Sequence, residues 1–315
     1  MTDHHSTRST LPDENVIVVL GATGQQGGSV ASALRDAGWR VRAVVRDPSS
    51  ASARQLAAAG IETVTGDLAD PTSLRSAFVG AHGVFSVQPS SGQANTEMTD
   101  DDEVAWGISV ADLARDAGVE HFVYSSAIAA GSTPTGIGHF DSKSRVEAHI
   151  RGLDIPSTIV RPASFMEILL LPGMGLADGQ FSFLMRNDQA VQVVAVRDIG
   201  LVAAEIFGSP ASFVGRTIDL AGDSLTGDEL AHHLGTTLGR PISYHRIPDD
   251  VLRENDLLGR LAAAVDDGRL AGRADLPALH ETFPFLLRFD EWLAGLDAET
   301  LTAATQSSPG GIALR

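Results

Sequence analysis

The chain has 315 residues, no cysteine and a net charge of −17. Without cysteine there are no disulfides, no thiolate catalysis and no cysteine-based zinc sites, and a field of this sign opposes nucleic acid and anionic membrane surfaces. Hydrophobic residues at 43% and charged residues at 20% are the balance of a chain that buries a core; no apolar run reaches membrane-spanning length, no signal peptide is expected, and a cytoplasmic location is compatible with all of this.

In chain order, a mobile tail is expected over 1–14, with His4 and His5 solvated. Apolar strands follow at 16–20, 41–45, 61–64, 83–87, 122–125 and 158–161, and helices at 28–37, 51–59, 72–78, 102–117 and 141–151. Three of the helices end in DAG, AAG and DAG, placing Gly38, Gly60 and Gly118 after the last turn, where glycine stops a helix. Strand–helix alternation calls for a parallel sheet covered on both faces, and right-handed crossovers make it doubly wound. Beyond Arg161 the rhythm changes. PASFMEILLLPGMGL reads as a short apolar helix and a break. A strand at 191–196, a helix at 199–207 and short strands at 217–220 and 242–244 come next. Thr226 with Glu229 three residues on forms a capping box, and the pattern is helical from 249, fraying from Ala303. The expected fold is α/β: a Rossmann-type doubly wound parallel sheet over 15–165, with 191–222 returning to it, and a smaller C-terminal α/β lobe of 166–190 and 223–315 for a substrate or partner.

The stretch VVLGATGQQGGSV, residues 18–30, carries the first chemical signal. Gly21, Gly24 and Gly27 follow an apolar strand and open a helix, the arrangement that a pyrophosphate needs. Gly21 permits the tight turn, Gly24 lets backbone approach the phosphate, and Gly27 lets the helix pack on the strand. Backbone N–H groups around Thr23, Gln25 and Gln26 then face the anion with the helix dipole behind them. Arg46 stands at the end of the second strand, nineteen residues after Gly27, where a guanidinium grips a 2′-phosphate and selects NADP(H). Asp47 is its neighbour; a strand one residue longer would turn Asp47 to the ribose and favour NAD instead. After the third strand, Asp67 and Leu68 are placed to meet the adenine, the carboxylate at the exocyclic amine and the leucine against the ring; the alternative is that Asp67 only starts a turn.

Together LGATGQQGGSV, VRAVVRDP, GDLAD, HFVYSSA, HFDSKSRVEAHIR, RPASFMEILL and VRDIGLVAA resemble, in this order and over 16–244, the NmrA-like proteins, atypical members of the short-chain dehydrogenase/reductase superfamily. The resemblance implies a Rossmann domain, an NADP(H) site and a variable C-terminal lobe. The family includes redox-sensing regulators that act through protein partners, quinone and related reductases, and plant aryl-ether reductases. The superfamily uses a tyrosine acid, a lysine four residues on that holds the nicotinamide ribose, and a serine at the carbonyl. By this resemblance the lysine is Lys143, the serine is Ser126, and His139 stands at the tyrosine position, where an imidazolium with a reference pKa near ~6.5 can donate a proton; the alternative is that His139 only solvates the helix entry. Gln88 lies beside the cofactor path, and Pro162 and Phe165 pass close to the nicotinamide; the alternative is that Phe165 and Met166 are plain core residues. Ile168 replaces an asparagine often seen in this motif, and Glu167 is a further pocket candidate.

No metal site is expected. The run TDDDEVAWG over 99–107 reads as an exposed helix start with Thr99 or Asp100 as its cap, since consecutive carboxylates point in different directions, and His232 and His233 read as structural. The function that follows is an NADPH-dependent reductase of a small carbonyl or quinone-like substrate, with no direct nucleic acid or membrane partner and a homo-oligomer left open. The rival is a non-catalytic NADP(H) sensor acting through a protein partner. A lyase or isomerase that uses the dinucleotide structurally is a third option.

Overall fold

The computed structural model describes residues 15–91 and 98–306; the tail expected over 1–14, with His4 and His5, and the end of the chain past Gln306 lie outside them. The first half alternates strands and helices as β1 (Val16–Val19), α1 (Gln25–Asp36), β2 (Arg40–Val45), α2 (Ala51–Ala58), β3 (Glu62–Thr65), α3 (Pro71–Ala77), β4 (Ala81–Ser86), α4 (Asp100–Asp116), β5 (His121–Ser125), α5 (Gly138–Gly152) and β6 (Ser157–Pro162). The second half runs through β7 (Ser164–Phe165), β8 (Gln180–Phe183), β9 (Val191–Val194), α6 (Val196–Gly208), α7 (Pro210–Phe213), β10 (Thr217–Leu220), β11 (Asp223–Leu225), α8 (Gly227–Leu238), β12 (Ser243–Arg246), α9 (Asp249–Glu254), α10 (Asp256–Asp266), α11 (Leu276–Thr282), α12 (Phe289–Ala294) and α13 (Ala298–Ala304).

Seven strands form one sheet in the order β10-β6-β5-β4-β1-β2-β3, every pair parallel. This is the expected doubly wound α/β sheet, with the chain reversing direction across the sheet between β1 and β4. β1 shows why it forms. All four of its residues are buried, and alternate side chains serve opposite faces: Ile17 and Val19 join the core beneath α1 and α6, while Val18 and Leu20 join the core beneath α3, α4 and α5. A strand covered on both faces has to be apolar throughout, and each such side chain contributes roughly 1.5–3 kcal/mol. A three-stranded sheet β11-β9-β7 and a pair β12-β8 lie outside the large sheet. Met166, Phe181, Leu230, Tyr244 and Trp292 belong to a third cluster built from this second half.

Helix starts follow local chemistry. Ser50, Asp70 and Thr99 accept from first-turn amides of α2, α3 and α4, with Pro71 at the first position of α3, and the capping box of Thr226 and Glu229 heads α8. Gly38 closes α1 at φ 87°. Several starts differ from the sequence expectation. α1 begins at Gln25 and not at 28, because Gly24 is itself the residue before the first turn. α4 begins at Asp100 behind Thr99. α5 begins at Gly138 and not at 141: Asp141 Oδ1 accepts from Thr135 N at 2.7 Å and Thr135 Oγ1 at 2.9 Å, which folds the preceding loop back over the first turn. MEILL is a 3-10 turn, Met166–Leu170; β7 and β8 are strands that the sequence pattern does not reveal; and α13 extends the ordered helix to Ala304, past the point where fraying is expected. Among the described residues no helix is long and apolar enough to cross a membrane.

Candidate cofactor and active site

A wholly parallel sheet brings the carboxyl ends of its strands to one edge. There β1 delivers the glycine turn, β2 Arg46, β3 the Gly66–Asp67 turn, β4 Gln88, β5 Ser125 and Ser126, and β6 Pro162. The loop from β5 returns to this edge and opens α5, so His139 and Lys143 stand in its first two turns.

In the glycine turn, Gly21 is at φ 66° and accepts from Gly24 N at 2.9 Å. A methyl group on Gly27 would run into the Gly21 carbonyl and Ala22 N, so Gly27 is fixed by packing. A methyl group on Gly24 would meet only the Gly21 oxygen, at 3.4 Å. Thr23, Gly24 and Gln25 are exposed. No side chain caps the first turn of α1, and no acidic residue stands in it. Its amides and dipole are therefore directed at solvent, with no capping anion among the described residues. Gln26 reaches across the edge, where its Oε1 accepts from Ser125 Oγ at 2.7 Å; Ser125 is a site neighbour that the SSA motif hides behind Ser126.

β2 ends at Val45, so Arg46 is the first residue beyond it. Arg46 is exposed, and its guanidinium makes no hydrogen bond or ion pair among the described residues. Asp47 is occupied: its Oδ1 accepts from Ser49 N at 2.8 Å and Ser49 Oγ at 2.6 Å. Those hydrogen bonds hold its carboxyl below the usual carboxylate range. Asp67 Oδ1 accepts from Ala69 N at 2.9 Å, so it does start a turn; Leu68 beside it is half-buried against the sheet core. Gln88 is buried and donates to Ser86 Oγ at 2.8 Å, while its Oε1 has no partner among the described residues. Pro162 is buried and its carbonyl accepts from Ile128 N at 3.1 Å; Phe165 is half-buried against the core.

The start of α5 is organised differently. Ser126 is buried, and its hydroxyl donates to Glu147 Oε1 at 2.5 Å. Glu147, itself fully buried, also receives Arg161 Nε at 2.8 Å and Arg151 Nη2 at 2.7 Å. Burial alone would raise the Glu147 carboxyl, but the Arg161, Ser126 and Arg151 hydrogen bonds hold it below its ordinary value. Lys143 donates to the buried Glu103 of α4. His139 lies half-buried against Phe140, ring centroids 4.2 Å apart. Burial first, and then the Lys143 ammonium, lower its pKa to about 4 against the opposing pull of Asp100 and Asp141. The imidazole is therefore neutral at pH 7.

Two sequence expectations change here. The acidic run is not an exposed helix start throughout: Asp101 pairs with Arg145 and Asp102 closes the capping box, but Glu103 is fully buried and Asp100 packs against Gly138. Asp100 and Glu103 are three apart and share the face turned to α5, a spacing visible in the sequence. Glu167 has another task. Its carboxylate accepts from Val196 N at 3.0 Å at the head of α6, and burial raises its pKa. Among the described residues no group of acidic and histidine side chains is arranged to hold a metal ion.

Residues 13–265 match the model of the NmrA-like family. The NAD(P)H azoreductase of Xenophilus azovorans is 31% identical over 231 residues, covering 73% of this chain and 76% of the azoreductase. Among solved structures, the NADPH-dependent quinone oxidoreductase QOR2 of Escherichia coli, complexed with NADPH, is 25% identical, with 88% of this chain and 98% of that one covered at a TM-score of 0.73. NmrA, a negative transcriptional regulator solved with NADP, shares the fold at 22% identity and a TM-score of 0.72, with 90% and 95% covered.

Proposed function

Since the chain belongs to the NmrA-like family, we propose that it is an NADP(H)-binding oxidoreductase, an NADPH-dependent reductase of a small carbonyl or quinone-like acceptor. The observation that carries the cofactor reading is the contrast at the end of β2: a guanidinium without a partner among the described residues at Arg46 beside a carboxylate already taken by Ser49 at Asp47. The other residues at the edge fit the same ligand. Gly21, Gly24 and Gly27 with the uncapped head of α1 cradle the pyrophosphate; Arg46 takes the 2′-phosphate; Asp67 Oδ2 and Leu68 serve the adenine; Lys143 holds the nicotinamide ribose; Gln88, Pro162 and Phe165 border the nicotinamide. Bound NADPH supplies the hydride. Because His139 is neutral and not the expected imidazolium, it offers an N–H hydrogen bond to the acceptor oxygen, and the proton comes from water. Residues 166–190 and 223–306 form the lobe that selects the substrate, and the protein works on a small molecule in the cytoplasm. The names of the azoreductase and the quinone oxidoreductase support a reductase of electron-poor acceptors.

The sensor is the second reading, and one observation favours it: Ser126, at the serine position of the superfamily, spends its hydroxyl on Glu147, and no tyrosine stands at 139. The deciding experiment is NADPH oxidation against a panel of quinones, azo dyes, aldehydes and ketones, run beside calorimetry with NADPH and NADP⁺. The reductase predicts turnover with at least one acceptor and a loss on the order of 10²-fold or more in His139→Phe, with cofactor affinity kept. No turnover on any acceptor, with unequal affinities for NADP⁺ and NADPH, would replace the reductase by the sensor.

A further inference from the structure

Glu103 is a buried carboxylate in the first turns of α4, and both of its oxygens are used. Oε1 accepts from the Lys143 ammonium and Oε2 from Ser142 Oγ at 2.8 Å. Its partners are consecutive residues of α5, so one side chain ties the two helices together at the level of the HxxxK segment. The Lys143 side chain is 12% exposed and that of Glu103 is 0% exposed. An ammonium carries three donors. Glu103 takes one, and the rest remain for a ligand.

Among the described residues the neighbouring carboxylates are engaged elsewhere. Asp100 receives Ser91 Oγ; Asp141 receives Thr135 N and Oγ1 and Gly136 N; Glu147 receives Arg161, Arg151 and Ser126. Tyr124, which faces this cluster from β5, is fully buried and kept protonated, first by burial and then by Glu103 and Glu147. A lysine on a flexible four-carbon stem has no fixed place of its own. Taking Lys143 as the ribose ligand, as above, we propose that Glu103 is the positioning residue that fixes the Lys143 ammonium at the carboxyl edge of the sheet for the cofactor ribose. His139 supplies an independent witness, since it lies one helical turn before Lys143 and feels its charge, together with those of Asp100 and Asp141.

The test uses the full-length protein with three variants: Glu103→Gln, Glu103→Asp and Lys143→Met. NADPH affinity is measured by calorimetry, and the His139 titration midpoint by NMR without cofactor. Glu103→Gln should weaken NADPH about tenfold, close to the loss in Lys143→Met, and raise the His139 midpoint above that of the wild type as the lysine leaves its place. Glu103→Gln that binds NADPH as the wild type does, beside a weakened Lys143→Met, overturns the positioning role. Lys143→Met that binds NADPH normally instead removes the lysine from the cofactor site, and the reading of Lys143 falls with it. Should Glu103→Gln fail to fold, Glu103→Asp keeps the charge and draws the carboxylate back by one methylene. A smaller loss of affinity with the same rise at His139 then supports the role, and no change in either quantity overturns it.

Discussion

The glycine turn at the head of α1 and the HxxxK segment at the head of α5 meet at the same edge of the sheet, yet they treat polar groups in opposite ways. Around the turn, groups stand without partners among the described residues: the first-turn amides of α1 have no side-chain cap, and the Arg46 guanidinium makes no hydrogen bond or ion pair. Around α5, each strong charge is answered inside the chain, Lys143 by Glu103 and Glu147 by Arg161 and Arg151, while His139 is kept neutral. The first region gains its energy when an anion arrives. The second spends its interactions on holding a few side chains still, and removal of one member there leaves another charge buried. Substitutions in the first region should therefore alter binding and spare the fold, and substitutions in the second should reach the fold.

Glu147→Leu gives the largest expected effect on the α5 side. It leaves Arg161 with the longer pair to Asp219 at 3.6 Å and frees Ser126, and unfolding in urea should show a loss of about 3–5 kcal/mol. A loss below about 1 kcal/mol would mean that the two regions are not built differently. Gly24→Val is its counterpart at the turn. The φ of −100° suits valine and only the Gly21 oxygen is near, so the melting temperature should hold while NADPH affinity falls by more than about a hundredfold; retained binding would return the glycines to a purely structural role. Arg46→Ala should cost about 1.5–3 kcal/mol of NADPH affinity, tenfold or more, with NADH affinity unchanged, and equal NADPH affinity in wild type and variant would remove Arg46 from the cofactor site. The smallest effect sharpens the comparison through pH. His139 and His121 are both lowered from 6.5 to about 4, chiefly by burial. The unfolded chain takes up protons below about 6.5 that the folded chain refuses, so stability should fall as pH drops from 6.5 to 4 and be flat in this respect above it. Denaturation of His139→Phe across that range should show a shallower slope than the wild type.

The sequence carries whatever is set by neighbours a few residues apart. Thr226 with Glu229 announces a helix start, DAG announces a helix end, and the spacing of Gly21, Gly24 and Gly27 behind an apolar strand announces the turn. Arg46 is legible for the same reason, as its place depends only on where β2 stops. The partners of Ser126 and Lys143 are not legible. Glu147 lies 21 residues from Ser126 and Glu103 lies 40 residues from Lys143; only the packing of α4 and α5 on the sheet brings them together. Glu103 is further masked by its acidic neighbours, since a run of four carboxylates in a first turn reads as a solvated helix start. The helix start at Gly138 is not legible because glycine is a poor helix former, and the fold there rests on the Asp141 side chain reaching back to Thr135. β7 and β8 are too short for alternation to register, and they exist because partner strands distant in sequence pair with them.

The order in which the large sheet is assembled also matters while the protein is being made. β6 pairs on one side with β5 but on the other with β10, and Ile159 finds its neighbour only at Thr217. Until Leu220 has left the ribosome, one flank of β6 presents bare N–H and C=O groups, a template for pairing with another nascent chain. At roughly 5–20 residues per second that interval lasts several seconds, and chaperone demand should peak within it. A premature stop between β6 and β10 would release a product with that flank permanently open, one destined for aggregates or proteolysis even though its first six strands are complete.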